Sequence, residues 1–336
     1  MMKIAFLFPG QGSQSLGMGA DFMTELASAQ AIEQTMNQLT TPNQAVTLSA
    51  IMKADGDATQ LQRTVYTQPA ILSVSIMAYQ AFQEKTNGNV VPVATAGHSL
   101  GEFSALIAAG VLSFEQAAQL VVNRAKLMEQ ATEGTMAAVL GLSAQTVQTC
   151  LSQQVLPAGQ LVVVANDNAP TQVVISGTAE GIEAVTPALK TAGAKRVLPL
   201  PVGGAFHSPL MEKAADTFAN YIQEQSFKTA QIPVVCNVNA QPTTDEGALK
   251  ANLKSQMCSG VQWTNTLTTL VETLGVQAVI EFGPGKVLTG LVKKQYPEVD
   301  CLNVFDLPSL EATVAWVQAQ ASSGANTTKP QSLLSV

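Results

Sequence analysis

The sequence predicts an α/β protein with a parallel-sheet core and a small βαββαβ unit inserted into it. Three observations carry this. Apolar runs at Lys3 to Phe8, Val90 to Ala96 and Ala278 to Phe282 each end in a glycine-bearing turn that leads toward a helix-forming stretch. Between Met136 and Leu200 the order changes to strand, helix, strand, strand, helix, strand, which is the order of a ferredoxin-like module. At 336 residues, with 46% hydrophobic and 12% charged side chains, the chain can bury a large core in one large domain or two smaller ones.

Taken in order, the strand Lys3 to Phe8 runs into the turn Pro9-Gly10-Gln11-Gly12-Ser13-Gln14. Helical segments follow to about Leu39, and the polar stretch from Thr40 to Thr67 reads as loop and short helix. Ala70 to Glu84 is expected to be a helix, followed by the strand Val90 to Ala96. Ser113-Phe114-Glu115-Gln116 has the form of a capping box and should open the next helix. In the insertion, the strands are Met136 to Leu140, Leu161 to Ala165, Gln172 to Ser176 and Lys195 to Leu200. Its helices are Ser143 to Gln154 and Ala179 to Ala192, and Asn166-Asp167-Asn168-Ala169-Pro170 reads as a polar turn. The core rhythm then resumes with a helix at Pro209 to Glu224 and a strand at Pro233 to Asn237. Helices Ala248 to Met257 and Thr264 to Leu274, the strand Ala278 to Phe282 and a helix after Gly283-Pro284-Gly285-Lys286 complete it. The expected organisation is a catalytic core at 1–134 and 202–320, a small subdomain at 135–201 and a disordered tail at 321–336.

Gly97-His98-Ser99-Leu100-Gly101 carries the chemistry. Gly-x-Ser-x-Gly between a strand and a helix is the setting of a nucleophilic serine, because the tight turn leaves no room for a Cβ on either side. The helix start behind it offers free backbone N–H groups to a reacting carbonyl. A serine hydroxyl needs a base, and the chain has two histidines, His98 and His207. His98 adjoins Ser99, and adjacency should turn its ring away from the hydroxyl. His207, in Gly203-Gly204-Ala205-Phe206-His207-Ser208-Pro209, is then the candidate base. A lone histidine is more often a surface or core residue without a role, but the elbow serine and the scarcity of histidine reverse that preference here.

Arg124 lies in the apolar stripe formed by Ala117, Leu120, Val121, Leu127 and Met128. A cation pointed into a core is costly unless paired. On the helix alone, a structural ion pair and a cation awaiting an anionic ligand are equally good readings.

Composition excludes other classes. A net charge of −7 argues against nucleic-acid binding, and no apolar run reaches the length of a membrane span. The opening residues read as a strand rather than a signal segment. Cys150, Cys236, Cys258 and Cys301 are dispersed, without CxxC spacing. They suit small core residues in a reducing cytosol, and they offer no zinc cluster.

The joint pattern resembles the malonyl-CoA:acyl-carrier-protein transacylases and the related acyltransferase domains of polyketide synthases. The matching blocks are Phe8-Pro9-Gly10-Gln11-Gly12-Ser13-Gln14, Gln68-Pro69-Ala70, Gly97-His98-Ser99-Leu100-Gly101-Glu102, Arg124, Ala205-Phe206-His207-Ser208, Gln262-Trp263 and Glu281-Phe282-Gly283-Pro284-Gly285. The resemblance implies an α/β-hydrolase-like core with an inserted ferredoxin-like subdomain. It implies Ser99 as nucleophile and His207 as base, the latter oriented by a backbone carbonyl near Gln256. It makes Gln11 and Leu100 the oxyanion-hole donors, Arg124 the partner of the malonate carboxylate, and Phe206 a steric filter against an α-methyl. Gln256, Asn168 and His98 complete the substrate surroundings. It further implies malonyl-CoA as donor with no bound cofactor or metal, ping-pong transfer to a phosphopantetheinylated acyl carrier protein, and a cytoplasmic monomer. An acidic carrier would need a local basic surface, for which Lys195, Arg196, Lys286, Lys293 and Lys294 are candidates.

Three rivals stand beside this reading. An ordinary esterase would place its histidine near the C-terminus and has no use for a buried arginine. A free-standing polyketide acyltransferase or a proofreading acyl hydrolase shares the motifs, although Arg124 suits neutral acyl chains poorly. A carrier-docking scaffold with a relic site would not need the intact constellation.

Overall fold

In a computed structural model, which describes residues 2–41 and 46–325, the chain forms a mixed α/β structure with two separate sheets. In chain order the elements begin β1 (Ile4–Phe8), α1 (Ala20–Glu25), α2 (Ala27–Thr40), α3 (Leu48–Met52), α4 (Ala58–Gln62), α5 (Thr64–Thr86), β2 (Ala94–Gly97), α6 (Gly101–Ala108) and α7 (Phe114–Gln130). The small sheet and its helices follow as β3 (Thr135–Leu140), α8 (Ala144–Ser152), β4 (Val162–Ala169), β5 (Gln172–Gly177), α9 (Ala179–Thr191) and β6 (Arg196–Pro199). The chain then continues through α10 (Glu212–Glu224), β7 (Val234–Val235), β8 (Pro242–Thr243), α11 (Glu246–Ser255), α12 (Trp263–Thr268), β9 (Ala278–Phe282), α13 (Val287–Gln295), β10 (Asp300–Val304) and α14 (Leu307–Ala325).

The larger sheet has the order β10-β9-β1-β2-β7-β8; all its pairs are parallel except the short β7–β8 return. All five residues of β1 are buried, as a central parallel strand covered on both faces must be. Phe6 and Phe8 face a cluster with Tyr79, Phe82 and Phe282, while Ala5 and Leu7 face the opposite layer around Trp263, Leu288 and Val292. The smaller sheet, β4-β5-β3-β6, is antiparallel throughout. Ala137, Val139, Val173 and Ile175 pack under α8 and α9, while Met136 and Val174 join the main core. Alternation along these strands therefore seats the small sheet against the large unit.

Several expected boundaries move. The helix expected from Ala70 starts at Thr64, with Pro69 inside it. The strand before the serine contracts to Ala94–Gly97. The expected polar turn at Asn166 to Ala169 is instead the end of β4, with register shifts after Val164 and Asp167. These bulges re-aim the polar side chains, and Asp167 N–H donates to the Val261 carbonyl of the large unit. The helix expected over Thr264 to Leu274 ends in a π-helical turn at Thr269–Thr273. Strand β10 and helix α14 went unforeseen. β10 mixes Asp300 and Asn303 into a half-buried sheet edge that gives no clean alternation. Because α14 runs to Ala325, residues 321–325 of the expected tail are helical, and the rest of that tail lies outside the described residues. Among the described residues no helix is long and apolar enough to cross a membrane.

Candidate active site

The turn after β2 is shaped by close backbone approach. A Cβ on Gly97 would lie 1.9 Å from the Gly101 carbonyl carbon, and one on Gly101 would lie 2.0 Å from the Phe8 carbonyl oxygen. Between them Ser99 is held at φ 51°, in the left-handed region that side chains avoid. Asn237, fully buried just beyond β7, holds the turn from the side. Its Oδ1 accepts from Ser99 N–H at 2.6 Å and its Nδ2 donates to the Gly97 carbonyl at 2.6 Å.

Ser99 Oγ lies 2.8 Å from His207 Nε2. His207 Nδ1 lies 2.9 Å from the Gln256 carbonyl and 3.1 Å from the Ser259 carbonyl. Carbonyls only accept, so Nδ1 carries the proton and Nε2 is left as the acceptor facing the serine. No carboxylate is needed to choose the tautomer. Burial, and then the nearby Arg124 cation, push the imidazole down to about 3, so it rests neutral.

Arg124 is 1% exposed and belongs to the site. Its Nη1 donates to Gln68 Oε1 at 2.6 Å, and its Nη2 donates to Gln256 Oε1 at 3.0 Å and to Ser99 Oγ at 3.1 Å. Its Nε has no partner among the described residues. Burial lowers the guanidinium to about 10, which still leaves it charged at neutral pH. Of the two readings open on the helix, the direct ion pair fails: among the described residues the only ion pair is Arg63–Glu129.

A cavity of about 110 Å³ collects Gln11, His98, Ser99, Leu100, Arg124, Phe206 and His207. Neither the Gln11 nor the Leu100 backbone N–H has an acceptor among the described residues. A second cavity of about 300 Å³ shares Gln11, Met128, Val202 and Phe206 with the first and reaches Arg63. This arrangement can deprotonate a hydroxyl, receive a developing oxyanion and hold an anion beside the nucleophile.

Two expectations change. The Gln256 side chain does not line the cavity; it is 1% exposed and bridges Arg124 to the Ser99 carbonyl and to Glu102. Asn168 likewise stands behind the site, its Oδ1 2.7 Å from His98 Nε2, and Asn166 lines the cavity instead. His98 turns away from Ser99 Oγ as expected and packs against Trp263 with ring centroids 5.3 Å apart. Sequence reasoning missed Asn237 and the roles of Gln68 and Glu102. A single buried amide at the end of a short strand carries no local signal.

Residues 5–315 match the family model described as acyl transferase domain. The Bacillus subtilis malonyl CoA-acyl carrier protein transacylase is 40% identical over 94% of this chain and 97% of its own. The Escherichia coli K12 protein of the same name is 41% identical over 88% of this chain and 93% of its own. A crystal structure of an acyl carrier protein S-malonyltransferase from Vibrio cholerae superposes with a TM-score of 0.85 at 39% identity, covering 93% of this chain and 99% of that one. A malonyl-transacylase in complex with a type II polyketide-synthase acyl carrier protein superposes with a TM-score of 0.85 at 37% identity, over 93% of this chain and 99% of that one. With the motifs, the sheets and the relatives all in agreement, the chain belongs to the acyl transferase domain family and, within it, to the malonyl-CoA:acyl-carrier-protein transacylases.

Proposed function

We propose that this chain moves a malonyl group from malonyl-CoA to the phosphopantetheine thiol of an acyl carrier protein through an ester on Ser99. The observation that carries this is the buried Arg124 cation, whose Nη2 stands 3.1 Å from Ser99 Oγ. It suits an acyl group that ends in a carboxylate, which a planar guanidinium can hold by two hydrogen bonds.

In the first half-reaction Ser99 Oγ attacks the thioester carbonyl while His207 Nε2 takes the hydroxyl proton. The Gln11 and Leu100 N–H groups receive the oxyanion, each contributing about 3 kcal/mol to the transition state. That charge also offsets the imidazolium, which the resting site disfavours. Collapse breaks the C–S bond, and His207 returns the proton to the CoA sulfur. In the second half-reaction the carrier thiol gives its proton to His207 and its sulfur attacks the ester. Ser99 Oγ then leaves and recovers the proton. Phe206 narrows the acyl pocket against a branched donor.

The strand order β4-β5-β3-β6 with two helices on one face supports the ferredoxin-like description of the small sheet, and the elbow supports a hydrolase-like core. We assign 1–134 and 202–320 to the core, and 135–201 to the subdomain that brings Asn166 and Asn168 to the site. The proposed setting is the cytoplasm, as a monomer. For carrier docking, Lys293 is withdrawn, because its Nζ donates to the Pro297 and Val299 carbonyls at 2.9 and 2.6 Å. Lys294 likewise donates, to Gln172 Oε1 at 2.8 Å, which leaves Lys195, Arg196 and Lys286. Service to a polyketide pathway rather than fatty-acid synthesis is a second reading, favoured by the structural neighbour bound to a polyketide carrier.

The test is intact-protein mass spectrometry with malonyl-, acetyl- and methylmalonyl-CoA in competition. One malonyl adduct is expected, absent in Ser99→Ala and with its preference lost in Arg124→Ala. Free malonate without an adduct would identify a hydrolase. Neither adduct nor turnover would favour the scaffold.

A further inference from the structure

Glu102 is the second residue of α6, three positions after the serine. A carboxylate in the first turn of a helix ordinarily faces solvent, yet Glu102 is 1% exposed. Its Oε2 accepts from Gln256 Nε2 at 2.8 Å and from Asn237 N–H at 3.2 Å. These partners are the two residues that hold the site together. Gln256 contacts both Arg124 and the Ser99 carbonyl, and Asn237 clamps the serine turn.

The chemistry of an amide makes this arrangement directional. The Glu102 carboxylate and the Ser99 carbonyl both only accept, so both demand the NH₂ end of Gln256. Its Oε1 must then face Arg124, where it accepts from Nη2. A rotated amide would turn its N–H bonds toward the guanidinium, two donors facing one another. The spacing matters as well. A carboxylate placed directly on Arg124 would compete with an acyl carboxylate for the same N–H bonds. With Gln256 between them, Glu102 offsets the buried cation without taking any of its N–H bonds.

We propose that Glu102 is a positioning residue for malonyl selection, acting through the Gln256 side chain to fix where the Arg124 guanidinium stands. The proposal rests on the reading of Arg124 as the partner of the malonyl carboxylate.

The test is the ratio of kcat/KM for malonyl-CoA to that for acetyl-CoA in acylation of the full chain. Glu102→Gln keeps the shape and loses the charge. It should lower the ratio about fivefold, the difference between a charged and a neutral hydrogen bond to Gln256, with the acetyl value falling less than the malonyl value. Gln256→Leu, which retains the backbone carbonyl that orients His207, should lower the ratio at least as much. Adding Glu102→Gln to Gln256→Leu should then change it no further. An unchanged ratio in Glu102→Gln would overturn the proposal, and so would full additivity in the double variant. If Arg124→Ala itself keeps malonyl preference, the underlying reading of Arg124 fails. If Arg124→Ala loses the preference and Glu102→Gln does not, only the role of Glu102 fails.

Discussion

Ser99 and His207, whose side chains meet at 2.8 Å, both hold left-handed backbone conformations, with φ of 51° and 58°. Each side chain reaches the other because its backbone is bent where a non-glycine residue resists bending, at about 1–2 kcal/mol per residue. Glycine at position 99 removes that penalty. Ser99→Gly should therefore be more stable than Ser99→Ala by about 1 kcal/mol, although neither forms an acyl adduct. Paired urea denaturation curves check this, and equal midpoints would show that the turn is unstrained.

Asn237 satisfies one backbone donor and one backbone acceptor in a fully buried position. Asn237→Ala leaves both without partners, and the expected loss is about 3 kcal/mol of stability. Acyl transfer should fall more than tenfold, because the serine turn loses its side support. Chemical denaturation and steady-state kinetics on the same preparation measure both. A loss under about 1 kcal/mol would mean that the turn supports itself.

Phe206 is 5% exposed and lies between the small cavity at Ser99 and the larger one beside it. Phe206→Ala joins the two spaces. Methylmalonyl-CoA should then gain about tenfold in kcat/KM relative to malonyl-CoA, the range that one methyl group controls in a pocket. An unchanged competition ratio would place the filter elsewhere.

Two buried groups separate the pH dependence of reaction from that of selection. His207 is neutral above about 3, so acylation by acetyl-CoA should show no acid limb in the ordinary histidine range. Glu102 is pushed up to about 7 by burial, against the opposing pull of Gln256, Asn237 N–H and the Arg124 cation, with the buried Cys236 thiol beside it. It is charged above that value and neutral below it. The charged form makes the stronger hydrogen bond to Gln256, so malonyl preference should be greater above pH 7 and fall as pH drops through 7. The acyl carboxylate stays ionised throughout this range. In Glu102→Gln the dependence should vanish; competition assays from pH 5.5 to 8.5 read it directly.

Local constraint made much of this protein legible. The glycines around Ser99, the capping box at Ser113 and Gln116, the apolar runs of β1 and β9 and the polar intruder Arg124 on its apolar stripe are each decided by a few neighbouring residues. Their readings hold because sterics and periodicity act over one or two turns of chain. The family resemblance then supplied Gln11, Leu100, Phe206 and the carbonyl near Gln256. The tertiary structure alone decided which buried polar groups meet. Asn237 reaches Ser99 across 138 positions, Gln256 reaches Glu102 across 154, and Asn168 reaches His98 across 70. An amide or a carboxylate in a sequence does not declare its partner. Its partner is set by which elements pack against each other, and burial then requires that every donor in the interior find an acceptor there.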